Sequence, residues 1–210
     1  MKYKVMIVED QTMPRELFEL RIQASEHFEV ALSIDNAALA DVYCLRVPVD
    51  LILMDVVTRG GESGLDAAER IKRAFPRIKI IIVTSMPECS YLSRAREIGV
   101  ESFWYKEEQR ESLLDVMERT MAGESVYPDA TPELQLGLAS SYKFTDRELE
   151  VLREMTGGDT NSEIAERLNM SVATVKTHIL SMLGKTGFRN RTEQAVRARE
   201  SGLVILNRKN

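Results

Sequence analysis

The sequence predicts two domains of different class: an α/β domain with a five-stranded parallel sheet, followed by a small all-α domain. Three observations carry this. Short strand-like apolar runs alternate with helix-spaced stretches five times within residues 1–122. One of those runs, Leu51-Ile52-Leu53-Met54, is apolar throughout, as in a strand buried on both faces of a parallel sheet. Beyond residue 142 the strand-like runs cease and helix-capping signals recur.

The elements follow in order. Val5–Val8, Phe28–Leu32, Leu51–Met54, Ile78–Val83 and Ser102–Tyr105 are predicted strands. Glu16–Ala24, Asn36–Leu45, Leu65–Phe75, Glu88–Ile98 and Gln109–Met121 have helical spacing. Pro14 suits a first helical turn, and Phe75-Pro76 and Gly99 are helix stops. Residues 123–142 contain Pro128, Pro132, Gly137 and Ser140-Ser141, the composition of a linker, with room for one helical turn at Glu133–Leu138. Thr145-Asp146-Arg147-Glu148 is a capping box opening a helix through Met155, and Gly157-Gly158 ends it. Thr160-Asn161-Ser162-Glu163 opens a second helix through Leu168. Ser171 caps a third to about Gly184, and Thr192–Ser201 forms a fourth, stopped by Gly202. The domains are therefore expected at 1–122 and 143–210, joined by 123–142.

Composition narrows the function classes. A chain of 210 residues with 44% hydrophobic residues can bury a core in each of two domains. Charges interrupt every apolar run well short of ~18 residues, so no transmembrane segment is expected. The start, Met1-Lys2-Tyr3-Lys4, runs directly into a strand and then acids, which argues against a signal peptide. Cys44 and Cys89 lack CxxC spacing and a nearby His, and read as reduced small hydrophobes. The net charge of −5 is uneven: residues 143–210 hold 12 basic and 9 acidic side chains, a net of +3, which leaves −8 for residues 1–142. An acidic module is thus joined to one suited to meeting a polyanion.

In a parallel sheet every strand's C-terminal end opens onto one edge, where ligands of open α/β folds gather. Glu9-Asp10 follow the first strand, Asp55 the third, Thr84-Ser85 the fourth and Lys106 the fifth. Clustered carboxylates repel, and a hard cation such as Mg²⁺ relieves them. A carboxylate beside such an ion can attack phosphorus while a lysine and a hydroxyl hold the phosphoryl oxygens. Taken alone, the acids have a plainer reading as favourable charges near a helix N-terminus. Thr84 and Lys106 at the matching strand ends favour the chemical one.

At these residues the chain resembles the receiver domain of two-component response regulators, over about residues 1–122. The resemblance implies a flavodoxin-like (βα)5 fold in which Asp55 accepts a phosphoryl group from a sensor histidine kinase. It implies that Glu9, Asp10, Asp55 and the backbone carbonyl of Val57 hold Mg²⁺. Thr84 and Lys106 would sense the phosphate, and Phe103, three residues before Lys106, takes the place of the switch aromatic. The sequence departs from the family pattern at three places. The loop Val56-Val57-Thr58-Arg59-Gly60-Gly61-Glu62-Ser63-Gly64 is one residue longer than usual and lacks proline, Ser85 stands where Ala is common, and Glu107 where Pro is common.

In the second half, a short helix, a tight turn and a longer helix form a helix-turn-helix pattern. On the third helix Val172, Val175, Ile179 and Met182 share one face and are expected to pack inward. Ala173, Lys176, Thr177, Leu180 and Gly184 share the opposite face. Basic helix faces are commonly just solvated, but residues 167–192 contain no acid and six of the cationic or imidazole side chains. The runs Phe144–Leu152, Asn161–Ala165 and Thr174–His178 resemble the LuxR-type DNA-binding domain and, with the receiver, the NarL/FixJ family of response regulators. That resemblance implies that Lys176, Thr177 and Leu180 face the bases of double-stranded DNA. Thr174, His178, Lys185 and Arg191 would touch its backbone, and Ala195, Val196 and Arg199 would form a dimer interface. The expected protein is a cytoplasmic, phosphorylation-controlled transcription regulator, a homodimer when active, rather than an enzyme. The alternatives are a DNA-binding regulator that no longer uses phosphate and, more distantly, a phosphatase or phosphotransferase. Val57, where such an enzyme would need a second acid two residues after Asp55, argues against the last.

Overall fold

A computed structural model describes residues 2–59, 62–88, 90–106 and 111–204. Expectations resting on Gly60-Gly61, Cys89, Glu107 and the Gln109 helix start lie outside these residues. The chain forms two compact units, with Met1–Ser85 and Ser90–Ala130 in the first and Thr131–Leu206 in the second.

In the first unit, β1 (Tyr3–Val8), α1 (Thr12–Gln23), β2 (Phe28–Ile34), α2 (Ala40–Cys44), β3 (Leu51–Met54), α3 (Gly64–Ala74), β4 (Lys79–Thr84), α4 (Ser90–Ile98), β5 (Ser102–Tyr105) and α5 (Leu113–Met121) alternate along the chain. The sheet order is β2-β1-β3-β4-β5 with every neighbouring pair parallel. The order reverses between β1 and β3, which opens a crevice at their C-terminal ends. Because side chains alternate across a strand, Val5, Ile7, Leu51, Leu53, Ile81, Val83 and Trp104 face one side. There they meet Phe18 and Ile22 of α1 and Leu113, Val116 and Met117 of α5. The intervening residues Met6, Ile52, Met54, Ile80 and Ile82 are equally buried, so both faces of the sheet are covered.

Several boundaries differ from expectation, α1 starting at Thr12 and α8 running to Thr186, and two of the shifts have a clear physical reason. β2 continues past Leu32 because its backbone stays paired with β1, beyond a register shift between Val5 and Met6, as far as Ile34 opposite Val8. The single helix expected over Asn36–Leu45 is instead a 3-10 turn, Ala37–Leu39, leading into the five-residue α2. The Asn36 side chain accepts the Ala38 amide at 2.8 Å, which starts the tighter winding.

In the second unit, β6 (Gln135–Leu136) and β7 (Ala139–Ser140) precede α6 (Asp146–Thr156), α7 (Asn161–Arg167), α8 (Val172–Thr186) and α9 (Arg191–Ser201). The helical turn expected at Glu133–Leu138 is therefore a β-hairpin. Gly137 at its tip has φ 62°, and a Cβ there would lie 2.2 Å from the Thr186 carbonyl oxygen. The Leu138 amide donates to that same carbonyl at 2.9 Å, so the hairpin docks on the end of α8. Leu136 and Ala139 join the helical core with Leu149, Leu152, Ile164, Val175 and Met182. At the other end of residues 123–142, the Val126 carbonyl accepts the Phe103 amide at 2.8 Å. Both capping boxes form, at Thr145/Glu148 and Thr160/Glu163. Val175, Ile179 and Met182 point inward as expected, but Val172, in the first turn of α8, is 38% exposed. Among the described residues no helix is long and apolar enough to cross a membrane. Cys44 is a free, half-buried thiol that burial pushes up to about 11, which leaves it unreactive at neutral pH.

Candidate functional sites

The first site lies at the C-terminal edge of the parallel sheet. The hydrogen-bond ladder runs one residue past several strands: Glu9 N donates to Ile34 O (2.9 Å), Asp55 N to Val8 O (2.9 Å) and Lys106 N to Thr84 O (3.0 Å). This carries the strands' register onto the residues that follow them, and so brings side chains from β1, β3 and β5 together. Lys106 Nζ donates to Glu9 Oε2 at 2.5 Å and to Asp55 Oδ2 at 2.9 Å. Glu9, Asp55 and Thr84 are buried, while Asp10 and Lys106 are half-buried. One carboxylate oxygen each from Glu9, Asp10 and Asp55 lies within 4.8 Å of the others.

The electrostatics follow from this geometry. Burial pushes the Asp55 carboxyl up to about 6; Lys106 pulls it down and the Glu9 charge pushes it up further. Burial alone would lower the Lys106 ammonium, but the carboxylates of Asp55 and Glu9 outweigh it and raise its pKa. Three carboxyl groups beside one ammonium make an acidic cluster. A small divalent ion that prefers oxygen ligands would balance it, so these residues fit Mg²⁺. Val57 sits in the loop leaving Asp55 and forms an isolated antiparallel bridge with Ser63. Phe103 is buried, its ring 5.0 Å from that of Tyr105 and 6.3 Å from that of Tyr127. Tyr127 is itself anchored by its hydroxyl to the Val100 carbonyl at 2.8 Å and covered by Arg96.

Gly64 ends the lengthened loop, and its packing is a feature the sequence did not reveal. A Cβ at Gly64 would stand 1.9 Å from the Asp55 carbonyl oxygen. The returning chain can approach the backbone of Asp55 only as glycine, and the Gly64 amide bonds Val56 O at 2.8 Å. The glycine was visible in the sequence; the contact it permits was not.

The second site is the outward face of α8. Asn169, at φ 51°, makes the left-handed turn between α7 and α8. Thr174, Lys176, Thr177 and Leu180 are exposed, Leu180 by 68%, and His178 is half-buried. Two cations expected to reach DNA phosphates are already engaged. Lys185 Nζ donates to both Glu148 oxygens (2.7 and 2.6 Å) and to the Lys143 carbonyl (2.8 Å), using all three of its donors. Arg191 donates to Asn161 Oδ1 and to the Asp159 carbonyl, both at 2.6 Å. Glu148 thus serves twice, in the capping box of α6 and as the acceptor of Lys185 and Ser181 from α8. The capping box was legible; its partners across the domain were not. On α9, Val196 is 49% exposed, Ala195 half-buried and Arg199 exposed. With Met155, Gly158 and Thr160 they line a cavity of about 360 Å³.

Comparison with known proteins bears on both sites. Residues 5–118 match the family model described as response regulator receiver domain. Residues 142–198 match that of bacterial regulatory proteins, luxR family. The response regulator protein VraR of Staphylococcus epidermidis is 30% identical over 212 residues, covering 97% of this chain and all of that protein. VraR of Staphylococcus aureus is 29% identical over the same extent. Among solved structures, a complex of the two-component response regulator RcsB with DNA superposes with a TM-score of 0.63 at 20% identity, covering 95% of this chain and 98% of that one. RcsB from Salmonella enterica serovar Typhimurium bound to promoter rprA with phosphomimetic BeF3- gives 0.59 at 23% identity, covering 93% and 98%. At those identities the structural likeness is one of fold.

Proposed function

Because the chain belongs to the response regulators that join a receiver domain to a LuxR-type DNA-binding domain, we propose that phosphorylation of Asp55 controls its binding to DNA. The family regulates transcription and is not an enzyme family. The phosphoryl donor is a sensor histidine kinase and the compartment is the cytoplasm. An Asp55 carboxylate oxygen attacks the donor's phosphorus, the histidine nitrogen–phosphorus bond breaks, and the electron pair leaves with the nitrogen. Glu9, Asp10, Asp55 and the Val57 carbonyl would hold Mg²⁺, which supplies positive charge to the phosphoryl oxygens. Lys106 neutralises a further oxygen, the Thr84 hydroxyl donates to another, and Phe103 follows Thr84. The observation that carries this reading is the Lys106 ammonium held 2.9 Å from a buried Asp55 within the acidic cluster.

Phosphorylated copies pair through Ala195, Val196 and Arg199 and lay α8 of each copy in the major groove. Lys176 and Thr177 reach base edges, Leu180 meets a thymine methyl, and Thr174 and His178 approach the backbone. Lys185 and Arg191 brace this surface through the acceptors they already hold within the domain. The test is incubation with Mg²⁺ and acetyl phosphate or a cognate kinase, read on a phosphate-affinity gel and then by DNA binding. A shifted band that disappears in Asp55→Asn, with DNA binding enhanced only in wild type, is expected. Equal labelling of Asp55→Asn would place the site elsewhere. DNA binding indifferent to the donor would make the receiver phosphate-independent, a reading favoured by the lengthened loop after Asp55.

A further inference from the structure

The loop leaving Asp55 is the chain's main departure from its family's pattern, and its buried hydroxyl has a partner 21 residues away. Ala37 opens the 3-10 turn after β2 and is fully buried. Its amide is one of the donors that a helix start leaves without an internal acceptor. The Asn36 side chain takes the Ala38 amide instead, at 2.8 Å. Thr58 Oγ1 accepts the Ala37 amide at 3.0 Å, and Thr58 is buried although it lies in a loop. Three ion pairs run the same way, Arg59 to Asp35 at 3.5 Å and Arg70 to both Glu62 and Asp41. The first of these is well exposed and holds little by itself.

On its return the loop is fixed again. Val57 bridges to Ser63, Ser63 Oγ caps α3 through the Leu65 amide at 3.2 Å, and Gly64 lies against the Asp55 carbonyl. Val57 is therefore held between Asp55 on one side and Thr58 on the other. In the order β2-β1-β3, the connections leaving β2 and β3 flank the end of β1, where Glu9 and Asp10 stand. The Thr58–Ala37 bond joins those two connections beside the acidic cluster.

We propose that Thr58 is a positioning residue for the divalent-cation site: its hydroxyl, bound to the Ala37 amide, fixes the loop so that the Val57 carbonyl is presented to the ion. The inference rests on the Mg²⁺-dependent reading of the site above. Groups that orient a ligand without touching the metal typically change affinity by about 10–100-fold when removed. Calorimetric titration of the full chain with MgCl2 tests this, with amide hydrogen exchange at Ala37 measured in parallel. Thr58→Val removes the acceptor with little change of shape, and Thr58→Ala removes it without the branched side chain. Both should lose Ala37 protection and weaken Mg²⁺ binding about tenfold or more, whereas Thr58→Ser restores both and Arg59→Ala changes neither. A merely structural role would lower the melting temperature and leave Mg²⁺ affinity alone. Wild-type affinity in a folded Thr58→Val or Thr58→Ala chain whose Ala37 amide exchanges freely overturns the proposal. Absence of Mg²⁺ binding in wild type overturns the underlying reading, and that result is distinct because it appears before any substitution is made.

Discussion

Burial of Asp55 raises its carboxyl from the ordinary 3.8 to about 6, and two pH effects follow from the sign of that shift. Between those values the folded chain holds more protons at this site than the unfolded one. The stability from this group is therefore fully present below pH 3.8 and is lost as pH rises through about 6. At neutral pH without divalent ions the ionised Asp55 is destabilising, by something on the order of 3 kcal/mol. Asp55→Asn should accordingly raise the melting temperature at pH 7, and the gain should shrink to about half by pH 5. Thermal denaturation of both proteins in EDTA checks this; an Asn variant no more stable than wild type at pH 7 would show that burial does not burden the carboxylate. Nucleophilic attack needs the ionised form, which a divalent cation bound at the cluster would favour.

The elements divide the cations of the second unit into two kinds. Lys176 stands exposed on the outer face of α8, whereas Lys185, two and a half turns later, is turned back onto α6. Burial pushes the Glu148 carboxyl up, but Lys185, Thr145 and Ser181 together hold it below its usual range. The two lysines should separate in one experiment. Lys176→Ala should weaken DNA binding by ~1–3 kcal/mol if it reads a base, or lower the salt slope by about one if it meets only phosphate. Lys185→Ala should leave the salt slope unchanged and lower the thermal stability, because a buried Glu148 loses its counter-charge. Binding across a range of salt, beside melting curves, distinguishes them. A salt slope reduced equally by both would return Lys185 to the DNA contact set.

At the scale of the whole molecule, the division of charge and the division of core do not fall at one residue. The basic excess begins at 143, but the helical core reaches back to Leu136 and Ala139. Burying a leucine is worth about 2–5 kcal/mol when measured by its replacement with alanine. A fragment of residues 131–210 should therefore melt cooperatively and at a clearly higher temperature than one of residues 143–210. If the acidic receiver masks the basic reader in the unphosphorylated chain, the longer fragment should also bind DNA without any phosphoryl donor. Identical melting of the two fragments would mean that the hairpin contributes nothing. DNA binding no better than that of the unphosphorylated full chain would remove masking.

Local chemistry determined much of this protein from sequence alone. Leu51–Met54 and Ser102–Tyr105 are legible as strands because short apolar or aromatic runs, too short for helices, recur between helix-spaced stretches. Thr145/Glu148 and Thr160/Glu163 are legible as helix starts because a capping box closes within four residues. Parallel topology then placed Glu9, Asp10, Asp55, Thr84 and Lys106 on one edge without any distance being known. Tertiary structure decided what depends on partners far apart in the chain: the Lys106 pair with Glu9 across 97 positions, Thr58 on Ala37, and Lys185 on Glu148. It also made a hairpin where a helical turn was expected at Glu133–Leu138, by docking Leu138 on the end of α8. Periodicity and capping act over one or two turns of chain. Whether a buried donor finds its acceptor is settled only when distant segments are packed together, and that is where the sequence reading stopped.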